Sequence, residues 1–117
     1  MFWTIAVDSV ERTLQLGQTR PRSGQLLLVH ITATKKNGDA PSLDPSDFVL
    51  VDPTGARILA FAATSDVYSP SAGITWPARY SVSAPVRSVV VFDVGPGARS
   101  LLFLIKSSNV AVRLPDP

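Results

Sequence analysis

The chain has 117 residues, 45% of them hydrophobic and 17% charged, with a formal net charge of +2 and no cysteine. That length and balance exclude a disordered chain and leave room for one packed core rather than two domains, and the missing thiols exclude disulfides and thiolate metal sites. The eight Arg and three Lys are spread along the whole length, closest at Arg20/Arg22 and Lys35/Lys36, so the dense basic stripe with interleaved aromatics that nucleic-acid binding needs is missing.

Residues 2 to 10 set Trp3, Ile5 and Val7 on one face against Thr4, Ala6 and Asp8 on the other, the period of a half-buried strand. The same stretch lacks the basic start, apolar middle and small-residue cleavage site of a signal peptide, so the chain reads either as cytosolic or as a domain cut from a longer precursor. "ERTLQLGQTRPRSG" follows with Gly17, Pro21 and Gly24, too many breakers for a stable helix even though Val10 and Leu14 sit four apart. It is predicted to be irregular.

"QLLLVHITATKK", residues 25 to 36, predicts a long strand with Leu27, Val29, Ile31 and Ala33 facing the core and a turn at Asn37-Gly38. In "LDPSDF", Asp44 suits the cap of a one-turn helix, Pro45 its first position and Asp47 its positive end. "DFVLVD" at 47 to 52 and "ARILAFA" at 56 to 62 predict a hairpin joined by "PTG", with Asp52 and Pro53 in the first two turn positions. After a long connection at 63 to 85 come "VRSVVVFDV" at 86 to 94, the turn "GPGAR", "SLLFLIK" at 100 to 106, the turn "SSN" and "VAVRL" at 110 to 114. Seven short strands with turn signals and no periodic helix predict an all-β antiparallel sandwich of the immunoglobulin type. The longest apolar run near the end, "LLFLI" at 101 to 105, falls far short of the ~20 residues of a membrane helix, so insertion of these residues into a bilayer is not expected.

With the elements placed, "GQLLLVHITATKKNGDAP", "DFVLVDPTGAR" and "VVVFDVGPGARSLLFLI" resemble a family of bacterial immunoglobulin-like (telokin-like) envelope domains of unknown function, related to the secreted immunoprotective antigen family. The resemblance spans roughly residues 24 to 106. It rests on Phe48, Leu50, Asp52 and Gly55 in a hairpin and on Val91, Phe92, Asp93 and Val94 in the strand before the final pair. It implies an extracytoplasmic module, secreted or lipid-anchored, without established catalytic residues, and residues 1 to 117 would then be one domain of a longer precursor.

His30 is the only histidine and points opposite to Val29 and Ile31; without a Gly-x-Ser-x-Gly elbow it reads as a solvent-face or edge residue rather than a triad base. With one histidine and no cysteine, two-histidine and three-histidine zinc sites are impossible within the chain. Asp39, Asp44, Asp47 and Asp52 form the densest carboxylate group, but their spacing matches no calcium loop and three have cap or turn roles. A glycosidase needs two carboxyl groups facing across a cleft, but most of the Asp residues have a turn role and Glu11 is the sole glutamate, so such a pair is not evident. "VGPGAR" lacks the Lys-Ser/Thr ending and following helix of a phosphate loop and reads as a hairpin turn. No cofactor is expected.

"TSDVYSPSAGITWPARYSVSAP", residues 64 to 85, is longer than most irregular connections and carries Tyr68, Trp76, Arg79 and Tyr80. Those four residues are the candidate recognition loop, with the aromatics buried against a partner and Arg79 supplying a directed polar contact; packing of the same aromatics onto the fold is the competing role. "RYSV" offers an eighth strand. The expected function is a non-enzymatic interaction or structural module binding another protein. The alternative is a carbohydrate-binding module in which Trp76 and Tyr80 stack on the sugars of an envelope glycan. Exposed edge strands add the option of a homodimer.

Overall fold

The computed structural model describes residues 3–15, 20–35, 44–62, 68, 86–106 and 111–115. Among these residues seven strands are formed: β1 (Trp3–Thr13), β2 (Gln25–Lys35), β3 (Phe48–Val51), β4 (Arg57–Leu59), β5 (Val86–Val94), β6 (Leu102–Ile105) and β7 (Ala111–Arg113). They pair as two antiparallel sheets, β1-β2-β5 and β4-β3-β6-β7. The fold is an immunoglobulin-like β-sandwich, with the fourth strand paired to the third rather than lying in the sheet of the first two.

The alternation read from β2 holds. Leu27, Val29, Ile31 and Ala33 face inward and meet Val90, Phe92 and Val94 of β5 on their own sheet and Phe48, Leu50, Leu101, Phe103, Ile105 and Leu114 on the other. Burying each large side chain of this set contributes roughly 1.5–3 kcal/mol. Three phenylalanines tie the sheets together: Phe103 stacks on Phe48 at a centroid distance of 5.1 Å and meets Phe92 edge-on at 6.1 Å.

β1 departs from plain alternation. Val7 pairs with Ile31 and Ser9 with His30, leaving Asp8 as the extra residue of a β-bulge. Without it Ser9 would face the core; with it Val10 comes opposite Val29 and packs inward beside Ile5 and Val7. The strand continues to Thr13, three residues past its predicted end. There the Arg12 guanidinium is held by Gln25 Oε1 at 3.3 Å and by the Ala98 carbonyl at 2.7 Å.

β2 and β5 are buried on both faces over Leu26–Val29 and Val89–Phe92. Their outward residues Leu26, Leu28, Val89 and Val91 form a second apolar cluster, closed by Tyr68 and flanked by Phe61. The chain reaches this position by leaving the four-stranded sheet after β4. Ala60 bridges to Phe92, and the Phe61 N–H donates to the Val91 carbonyl at 3.0 Å. The edge of the three-stranded sheet is thereby covered at the middle of β5.

The loops are set by carboxylates. Asp44 Oδ1 accepts from the Ser46 N–H and Asp47 Oδ2 from the Asp44 N–H, closing a capping box on the one-turn 3-10 helix Pro45–Asp47. Asp52 Oδ1 accepts from Thr54 Oγ1 and from the backbone N–H groups of Thr54 and Ala56, and Gly55 takes a φ of 88° that closes the β3–β4 hairpin. Asp93 accepts from the N–H groups of Arg22 and Ser23 at 2.6 and 2.9 Å, which ties the β1–β2 connection to β5.

Candidate functional site

The predicted recognition residues divide between two situations. Tyr68 is only 6% exposed: its ring lies on Leu26, Leu28, Val89 and Val91, and its hydroxyl accepts from the Val91 N–H at 3.1 Å. Of the two roles open to it, Tyr68 takes packing onto the fold rather than presentation for recognition, with little surface left for a partner. The physical reason is the second apolar face of β2 and β5, which needs a large side chain to cover it. Trp76, Arg79 and Tyr80, together with the proposed strand at "RYSV" and the Asn37-Gly38 turn, lie outside the described residues.

The carboxylates have the roles read for them at Asp44, Asp47 and Asp52; Asp39 lies outside the described residues. Hydrogen bonds from the Thr54 hydroxyl and from the backbone of Ala56, Thr54 and Gly55 hold the Asp52 carboxyl below the usual aspartate range, against a weaker desolvation effect. Among the described residues no three His, Asp or Glu side chains converge as metal ligands. No helix among them is long and apolar enough to cross a membrane.

Among the described residues two surfaces stand out, the outer faces of the two sheets. On the three-stranded sheet, where the Tyr68 cover ends, a concavity of about 520 Å³ is lined by Asp8, Ser9, His30, Ile31, Arg87, Ser88 and Val89. The register explains its chemistry. Thr32 lies between Ala6 and Arg87, His30 lies between Ser9 and Val89, and the bulge inserts Asp8 between these rows. Asp8 accepts a short hydrogen bond from Thr32 Oγ1, and His30 Nε2 is 2.6 Å from Glu11 Oε1. With the His30 and Glu11 side chains 35% and 58% exposed, that pair contributes little to stability. Arg87 is exposed and makes no ion pair among the described residues. His30 thus has the solvent-face position expected of it, on the central strand of its sheet.

The outer face of the four-stranded sheet is the opposite in character. Because Phe48, Leu50, Ile58, Phe103 and Ile105 point inward, their alternates point outward. One cross-strand row reads Leu59, Val49, Leu104, Ala111 and the next Arg57, Val51, Leu102, Arg113. Val49 is buried, Val51, Leu102 and Leu104 are partly exposed, and Leu59 is 66% exposed. Arg57 and Arg113 are exposed at opposite edges, about 14 Å apart across three strand spacings, and Lys106 is exposed just beyond β6. Neither this apolar face nor the concavity was singled out from sequence. The face emerges only when the pairing register lines up four short strands, whereas the bulge had a signal in the three-residue step from Val7 to Val10.

Comparison with protein-family models, with curated proteins and with solved structures finds no match to this chain.

Proposed function

We propose that the chain is a non-enzymatic interaction module that docks a protein partner through the outer face of the four-stranded sheet. The observation that carries this reading is the apolar centre formed by Leu59, Val51, Leu102 and Leu104 between Arg57 and Arg113. Here Leu59 is exposed and Val51, Leu102 and Leu104 are partly so, and an apolar area open to solvent within a charged rim is the usual form of a protein-binding surface. The rim selects the partner's chemistry: an apolar patch bordered by carboxylates, which the two arginines can hold by bidentate hydrogen bonds. Face-to-face pairing of two copies would set like charges against each other, which disfavours self-association here. In line with the resemblance to bacterial envelope domains, the module belongs to a secreted or envelope-anchored protein.

The test is capture from an extract of the source cells on immobilised protein, followed by rebinding of the purified captured species. The expected result is a partner retained by the native chain, weakened by salt, and lost in both Leu59→Glu and the Arg57→Glu/Arg113→Glu pair. A partner that binds these variants as well as the native chain would contradict the reading.

A second reading, a carbohydrate-binding module, is favoured by a separate observation. The hydroxyl, carboxylate, imidazole and guanidinium groups that gather around the 520 Å³ concavity are those that hydrogen-bond sugars. Saccharide titration that shifts the His30 and Ser9 amides is its measurement.

A further inference from the structure

The concavity on the three-stranded sheet is electrically polarised, and this carries an inference independent of the protein-docking face. Among the described residues, the carboxylates near it, Asp8 and Glu11, stand on β1. The one guanidinium lining it among the described residues, Arg87, stands on β5, at the opposite edge of the sheet. His30 lies on the strand between and is engaged by Glu11. The gap between the Asp8 and Arg87 positions is two strand spacings, about 10 Å. The two groups therefore form no ion pair; they face a shared space with opposite signs.

A ligand that neutralises both must carry a cationic group at one end and an anionic group at the other, separated by about 10 Å. Three extended residues span about that length, and a peptide's own termini supply an ammonium and a carboxylate. We infer that the concavity binds a short zwitterionic peptide of about three residues laid across the strands, its α-ammonium on Asp8 and its α-carboxylate on Arg87. Ser9 supplies a hydroxyl between the ends, and Val89 supplies an apolar floor. The 520 Å³ volume lies within the range of small-molecule sites and exceeds what a single amino acid fills.

The geometry assigns each charge a separate task. Asp8 is aimed by the bulge and braced by the Thr32 hydroxyl, so it presents a fixed acceptor. Arg87 can grip a carboxylate with two parallel N–H groups. Removing either terminal charge from the ligand leaves one protein charge without its partner.

Amide shifts of the 15N-labelled protein, titrated with triglycine, N-acetyl-triglycine and triglycine amide, test this. Triglycine is expected to move the amides of Ser9, His30, Arg87 and Ser88, and each capped form to bind at least about tenfold more weakly. Asp8→Asn should abolish discrimination against the acetylated peptide and leave discrimination against the amide; Arg87→Gln should do the reverse. Both side chains are exposed, and dispersed amide spectra confirm the fold of each variant. Equal binding of the three peptides, no shift at these amides up to roughly 50 mM, or discrimination that survives both substitutions would overturn the inference. So would a neutral saccharide that moves these amides where triglycine does not.

Discussion

The hydroxyl of Tyr68 accepts the backbone N–H of Val91 at 3.1 Å, 23 residues away in the chain. That bond occupies an edge donor of β5, while the Phe61 N–H takes up the Val91 carbonyl. Tyr68→Phe keeps the ring over Leu26 and Leu28 and leaves the Val91 N–H unsatisfied, which should cost about 1–3 kcal/mol. Urea unfolding and faster exchange of the Val91 amide check it; unchanged stability would mean the bond contributes nothing.

The same residue predicts an alkaline limit. Burial raises the Tyr68 phenol well above its ordinary range, and the Val91 hydrogen bond only partly opposes this. In the unfolded chain the phenol ionises near pH 10, while in the fold it stays protonated. The stability is therefore complete below about pH 10 and falls as pH rises toward the folded-state value. Melting between pH 8 and 11 (roughly one unit around that ordinary value) should show a decline that is smaller in Tyr68→Phe.

Asp52 gives the opposite slope. Its carboxyl is lowered chiefly by the Thr54 hydroxyl, so its contribution is present above the ordinary aspartate value and lost as pH falls through the depressed one. Asp52→Ala should flatten the acid limb of the melting curve and expose the Thr54 and Ala56 amides to rapid exchange. An acid limb identical to that of the native chain would remove Asp52 from the hairpin account.

Gly24 has a φ of 131°, and a Cβ placed there would lie 2.4 Å from Cγ and Cδ of Pro96. The β1–β2 connection and the β5–β6 turn thus touch where neither can yield. Gly24→Ala should destabilise by about 1–3 kcal/mol, and adding Pro96→Ala should recover part of that loss, because it relieves the clash and leaves the backbone strain. Full additivity in the double-mutant cycle would show that the two loops do not press on each other.

How much of this was legible in the sequence follows from range. β5 begins and ends where its β-branched run does, and the Asp44 cap and Asp52 turn follow from residues within four positions of each other. The continuous runs Leu26–Val29 and Val89–Phe92 are themselves the mark of strands buried on both faces. Reading β2 by alternation alone found its inner face and missed that the outer one needed a cover. The cover comes from Phe61 and Tyr68, whose place depends on the chain crossing to the other sheet after β4, a tertiary event with no local signal. The concavity and the apolar face are likewise products of register. Asp8 is brought beside Thr32, and Leu59 into line with Leu104, only by strands far apart in the chain.

The central claim, that the outer face of the four-stranded sheet is the docking surface, is tested most directly by mapping an anionic apolar probe, anilinonaphthalene sulfonate, on the labelled native protein. The account predicts shifts concentrated at Leu59, Leu102, Leu104, Arg57 and Arg113, lost in Leu59→Glu and unchanged in Asp8→Asn. Shifts confined to the three-stranded sheet, or none at all on the folded protein, would contradict it.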